Sequence, residues 1–169
     1  MKIGMAWQQF LETARSHEEW SAFVGESKRN VHLAVMIEPF LSYIFEGQKT
    51  IESRFSSHAI APYRQIKVGD LVLLKRTGGP VVGAFIASSV EFVELHDREL
   101  DRLRRDYSTA ICADEEFWQA RSDKRYATLI GVNNPVELPP LPIAKADRRG
   151  WVPLDVHSTS NEHEQLTLI

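Results

Sequence analysis

The chain has one cysteine, Cys112, in 169 residues, so it can form no intrachain disulfide and no cysteine-based zinc cluster. Following Ala110 and Ile111, Cys112 reads as a small buried apolar residue rather than a nucleophile. No apolar run approaches the roughly 20 residues of a membrane span. Met1 to Met5 lack the apolar core of a secretion signal. The protein is therefore expected in the cytoplasm and away from the membrane. Charge of one sign is also missing. A net charge of −3 supplies no global basic field for duplex nucleic acid or anionic lipid. Any nucleic-acid contact has to come from a local patch, sized for one nucleotide or a short single strand. Gly78-Gly79 is no phosphate loop, since neither the Gly-x-x-x-x-Gly-Lys-Ser/Thr pattern nor a following helix accompanies it. His58 has no partner at metal-ligand spacing, and neither a metal nor an organic cofactor is expected. There are no internal repeats.

What is present suits one domain with an accessory segment. Trp7, Phe10, Leu11 and Ala14 fall at i, i+3, i+4, i+7, the stripe of an amphipathic helix over Met5 to Ala14. Ser16, with Glu19 three residues on, predicts a capping box and a second short helix through Trp20 and Phe23, ended by Gly25. This hairpin, residues 1–30, is expected to pack its tryptophans on the rest of the chain. Val31 to Ile37 reads as a strand, and Pro39 as the first residue of a helix presenting Phe40, Tyr43 and Ile44. Further strands are expected over Leu71 to Lys75, Val81 to Leu95 and Tyr126 to Glu137. Charged and apolar spacing predicts helices over His96 to Asp106 and Ala113 to Arg121, the second capped by Asp114. Arg102, Arg104 and Arg105 alternate with acidic residues, as on a solvated face. Phe117 and Trp118 read as apolar, Trp118 as core. Leu138 to Pro142 carries three prolines and is not expected to be a central strand. Residues 155–169 lack periodicity and read as a flexible tail.

The stretch with chemistry in it is Gly47-Gln48-Lys49-Thr50-Ile51-Glu52-Ser53-Arg54. Gly47 suits the left-handed position just past a helix. If the chain is extended from Thr50 to Phe55, then Thr50, Glu52 and Arg54 share one face, because strand side chains alternate. Such a polar face, reached by Lys49 at the hinge, suits a polar ligand. A solvated edge strand with one weak Glu–Arg pair accounts for the same residues. His58, Tyr63 and Arg64 follow in a loop and are rim candidates. Lys75 and Arg76 end a strand where they can join Lys49 in a basic patch. Arg149 and Trp151 can stack on a base, worth about 1–3 kcal/mol, or Trp151 can plug an open end of the fold.

Gly47, Lys49, Glu52 and Arg54, after a short helix begun by Glu38-Pro39, resemble the Gly-x-Lys-x-x-Glu-x-Arg signature of the ASCH domain family, which belongs to the PUA-like superfamily. Val68-Gly69-Asp70-Leu71-Val72 resembles that family's strand entry, and Tyr126 to Ile130 a late strand. The resemblance covers roughly Val31 to Leu154. It implies an α+β fold, a small PUA-like β-barrel with flanking helices over residues 31–154, here preceded by the N-terminal helical hairpin. It also implies a cleft between the first helix and the barrel that takes RNA, another single-stranded nucleic acid or a modified nucleoside.

Some members of the family are amidohydrolases of N4-acetylcytidine, and nuclease activity is described among them. The amidohydrolase arrangement uses a lysine, a threonine three residues later and a distant glutamate. Lys49 matches the lysine, whereas Glu52 stands at the threonine position. The expected ligand-binding residues are Lys49, Thr50, Glu52, Arg54, Lys75, Arg149 and Trp151. An enzymatic reading makes Lys49 and Glu52 catalytic, by acid–base chemistry on an amide or phosphodiester.

Overall fold

Leu71-Val72-Leu73-Leu74 is apolar at four successive positions, the pattern of a strand covered on both faces. In the computed structural model, which describes residues 3–24, 29–96, 98–145 and 148–154, that is its position. β3 (Leu71–Arg76) lies inside a six-stranded sheet ordered β2-β5-β4-β3-β1-β6. Its companions are β1 (Val31–Met36), β2 (Ile51–Ser56), β4 (Val81–Glu94), β5 (Tyr126–Leu141) and β6 (Trp151–Leu154). β1 and β3 run parallel, and the other neighbours are antiparallel.

Helices cover both faces. α1 (Ile3–Arg15) and α2 (Glu18–Val24) bring Trp7, Phe10, Trp20 and Val24 against Leu33, Leu73, Ala84 and Leu138. The N-terminal hairpin thus packs its tryptophans into the sheet's own core, as the helical stripe predicts. The capping box does not form. Ser16 Oγ donates instead to the Thr13 carbonyl at 2.6 Å, closing α1, and α2 starts at Glu18.

On the other face, α3 (Phe40–Phe45) buries Leu41 and Ile44 against Val72, Leu74, Phe85 and Ile130. Phe40 and Tyr43, expected with Ile44, stay half-buried. α4 (Glu99–Ile111) and α5 (Glu115–Gln119) close the far end of β4 and β5 through Leu103, Ile111 and Trp118. α4 continues past Asp106 because Tyr107 and Ile111 extend the Leu100–Leu103 stripe. Asp114 caps α5 as expected, accepting from Phe117 N–H at 2.8 Å.

The strand expected to end at Glu137 runs on into the proline run Leu138 to Pro142, which, as expected, is not a central strand. β5 continues through it to Leu141, because β2 pairs only with Tyr126–Gly131 and leaves this end of β5 with β4 alone. Prolines are tolerated on such a free edge. Trp20 Nε1 donates to the Pro139 carbonyl there at 2.6 Å.

Register shifts between β4 and β5 bend both strands. The sheet curls into a half-barrel whose ends, β2 and the β1–β6 pair, approach across a seam bridged by the Arg54 side chain. The tail expected over residues 155–169 lies outside the described residues. No helix among the described residues is long and apolar enough to cross a membrane.

Candidate functional site

Gly47 takes φ +78° just beyond α3. The backbone N–H groups of Gln48 and Lys49 both return to the Tyr43 carbonyl, at 2.9 and 3.0 Å. This turn drives the Lys49 side chain inward, where it is only 2% exposed. Its Nζ donates to the Ile111 carbonyl at 2.9 Å, the last residue of α4. A buried ammonium is tolerated at that place because a helix C-terminus presents unpaired carbonyls and the negative end of its dipole.

Glu52, 4% exposed, completes the compensation. One carboxylate oxygen lies 3.4 Å from Lys49 Nζ, and the other accepts from Arg54 Nε at 2.8 Å. Arg54 then reaches across the seam. Its Nη2 donates to the Val35 carbonyl at 3.0 Å and approaches Met36 Sδ at 3.1 Å, and Nη1 donates to the Gly150 carbonyl at 3.2 Å. Its guanidinium also lies over the Trp151 ring, 5.2 Å from the centroid.

Beside this triad opens a cleft of about 270 Å³ lined by Val35–Ile37, Phe40, Lys49, Glu52–Phe55, Phe117 and Arg121. That is just below the usual range of small-ligand pockets, about 300–1,000 Å³. The cleft follows the seam. Val132 N–H donates to the Thr50 carbonyl, so even-numbered residues of β2 turn their backbone groups toward β5. By alternation, Ser53 and Phe55 turn theirs toward the seam. Three cations, Lys49, Arg54 and Arg121, face one carboxylate there.

Lys49, Glu52 and Arg54 are therefore brought together. Of the other expected residues, Trp151 meets Arg54 from below without lining the cleft, and Thr50, Lys75 and Arg149 lie apart from it. Thr50 is exposed and precedes the strand; its N–H donates to the Ala110 carbonyl and its carbonyl accepts from Val132. Its carbonyl keeps the register of β2 with β5, but its N–H has turned to α4 and its side chain stays exposed whereas that of Glu52 is buried. Lys75 lines a separate groove with Pro80, Pro142 and Lys145, where burial first and Lys145 second lower its pKa. Arg149 is exposed outside the cleft lining. Trp151 is buried beneath Arg54 and donates Nε1–H to His32 Nδ1 at 3.1 Å, so it plugs the fold.

The loop candidates also lie elsewhere. His58 is exposed, Tyr63 is buried against Phe92 and Tyr126, and Arg64 faces Glu94 at 3.9 Å. Arg102 is held by Glu91 and Glu99 at 2.7 and 2.9 Å. Cys112 is half-buried at the left-handed cap of α4, not in the core.

Phe117 and Arg121 complete the cleft and were not legible as site residues. Arg121 Nη1 donates to the Phe117 carbonyl at 3.0 Å, and its guanidinium lies 3.5 Å from the centroid of the Phe117 ring. Burial lowers the Arg121 pKa, Glu52 opposes that shift, and Arg54 adds to it. The one trace in the sequence is an aromatic and an arginine at i, i+4, a spacing with many other uses.

A scan against protein-family models found no match, and neither did a search of curated proteins by sequence. Comparison with solved structures did. The crystal structure of ASCH from Zymomonas mobilis matches with a TM-score of 0.59 and 12% identity, over 82% of this chain and 94% of that chain. A mutant of the same protein matches with a TM-score of 0.60 and 13% identity, over 81% and 96%. The fold is that of an ASCH domain. At such identity the likeness concerns backbone architecture alone. The extent of the match reaches nearly the whole of the Zymomonas chain.

Proposed function

We propose that this ASCH-fold protein binds RNA or a modified nucleotide by holding one base in the seam cleft. The observation that carries this reading is the buried Lys49–Glu52–Arg54 triad at the foot of an aromatic-walled cleft. Phe40, Phe55 and Phe117 supply apolar walls for a planar ring, and stacking on such rings is worth about 1–3 kcal/mol per base. Glu52 accepts from an exocyclic amine or ribose hydroxyl, while the seam-facing backbone of Ser53 offers a donor and an acceptor to a base edge. Arg54 acts as a positioning residue, since its donors are committed to Glu52, Val35 and Gly150.

A second reading, hydrolysis of an amide or phosphodiester, draws on the closeness of Lys49 and Glu52, both buried and 3.4 Å apart. Glu52 would act on water as a base and Lys49 would stabilise developing negative charge. Thr50 does not serve as a nucleophile in this scheme, because it lies outside the cleft.

Thermal stabilisation and calorimetry with ribonucleosides, N4-acetylcytidine and short single-stranded RNAs test both readings, with product analysis on each mixture. Binding lost in Lys49→Ala, with no product, is the expected result. Product that disappears in Glu52→Gln replaces the binding reading with the hydrolytic one. Affinity unchanged in Lys49→Ala contradicts the proposed site.

A further inference from the structure

Resting on the reading of the seam cleft as a base site, we propose that Arg121 is a phosphate anchor, so that the ligand is a nucleotide, free or within RNA, rather than a nucleoside. The three cleft cations differ in how far they are already satisfied. Lys49 has the Ile111 carbonyl at 2.9 Å and Glu52 at 3.4 Å. Arg54 has Glu52, Val35, Gly150 and Met36. Arg121 gives one N–H to the Phe117 carbonyl, and no carboxylate among the described residues stands within ion-pair distance of it.

A guanidinium carries five N–H donors, so most of its hydrogen-bonding capacity is uncommitted on a half-buried side chain. Arg102 makes the contrast. Two carboxylates hold it, and its pKa is raised, whereas burial lowers that of Arg121.

A half-buried cation whose nearest opposing charge is Glu52, beyond ion-pair distance and already paired with Lys49 and Arg54, favours an incoming anion. Phe117 and Phe55 fix the plane of the guanidinium, with ring centroids 3.5 and 5.6 Å away. A planar fork held in this way suits two oxygens of one phosphate. Since Arg121 lines the same cleft as Glu52 and Phe40, one nucleotide can place its base at the triad and its phosphate at Arg121.

The test is calorimetry on the full chain, comparing the four ribonucleosides with their 5′- and 3′-monophosphates and a trinucleotide, in wild type, Arg121→Gln and Arg121→Lys. The expected result is a monophosphate bound about tenfold or more tightly than its nucleoside. That advantage should vanish in Arg121→Gln, survive in part in Arg121→Lys, and shrink with added salt. Melting curves establish that both variants fold, and if Arg121→Gln does not, Arg121→Lys still reads the loss of the planar fork. Equal affinity for nucleoside and monophosphate, or an advantage untouched by either substitution, overturns the phosphate anchor and leaves the base site standing. Absence of binding by nucleosides, monophosphates and trinucleotide alike overturns both.

Discussion

Arg54 Nη2 sits 3.0 Å from the Val35 carbonyl oxygen, so a side chain rather than a strand ladder joins the two ends of the sheet. The seam leaves a cleft of about 270 Å³ and still keeps Glu52 at 4% exposure. Fold and site meet in this one residue.

Replacing Arg54 by Leu should therefore act on stability before it acts on binding. The substitution leaves Glu52 without its nearer cation and the Val35 carbonyl without its Arg54 donor, while the Gly150 carbonyl keeps the Val35 N–H at 2.9 Å; the expected loss is about 3–5 kcal/mol by comparison with other broken buried pairs. Urea unfolding measures it, and hydrogen exchange should speed up most around Val35 and Gly150. A loss below about 1 kcal/mol, the level of surface ion pairs, would show that the seam holds without Arg54.

The second prediction concerns pH. Trp151 donates to His32 Nδ1, so the ring proton lies on Nε2 and faces Asp70 Oδ2 at 2.8 Å. That is a neutral imidazole. Burial, opposed by Asp70, holds its folded pKa below the ordinary 6.5. The unfolded chain takes up the proton first as pH falls, so the contribution of His32 is complete above 6.5 and is lost as pH drops through the folded value. Measured from pH 8 to pH 5, the stability of wild type minus that of His32→Gln should shrink below pH 6.5. A difference that stays constant contradicts the neutral assignment.

Trp20 tests whether the N-terminal hairpin belongs to the core. It is fully buried, meets Phe10 edge-on at 5.3 Å, and donates to Pro139. Trp20→Ala should cost about 3–5 kcal/mol, read as a single, earlier melting transition. Two separate transitions in wild type would instead make the hairpin an independent unit.

Gly83 carries a purely steric prediction. A methyl group there would overlap the Val136 carbonyl oxygen and the Phe45 ring. Gly83→Ala should destabilise by about 1–3 kcal/mol, the usual effect of overpacking, and Phe45→Leu in the same chain should recover part of it. No loss in thermal stability would mean that α3 can shift on the sheet.

The motif from Gly47 to Arg54 was legible because its parts are local. A left-handed glycine, a hinge lysine and two charges at i, i+2 are set by neighbours in the chain. Thr50 shows the limit of that reasoning, since its N–H turns to the Ala110 carbonyl of α4, a residue distant in the chain, and its side chain stays exposed outside the cleft. Arg121 shows another. It follows Arg54 by more than sixty positions in the sequence, and only the packing of α4 and α5 against β2 brings it to the cleft. Trp151 was legible as an aromatic that either stacks on a base or plugs the fold, but not as a donor to His32, which lies 119 positions away in the chain. The prolines of β5 were legible as excluding a central strand, but not as part of one that has two neighbours at one end and one at the other.

The measurement that bears most directly on the seam cleft is backbone amide chemical-shift mapping of the labelled chain, titrated with nucleoside monophosphates and a short single-stranded RNA. The account predicts perturbations concentrated at Ile37, Phe40, Lys49, Ser53, Phe55, Phe117 and Arg121, and their loss in Lys49→Ala. Perturbations clustered instead around Arg64, Glu94 and Arg102, or none with any of these ligands, would contradict it.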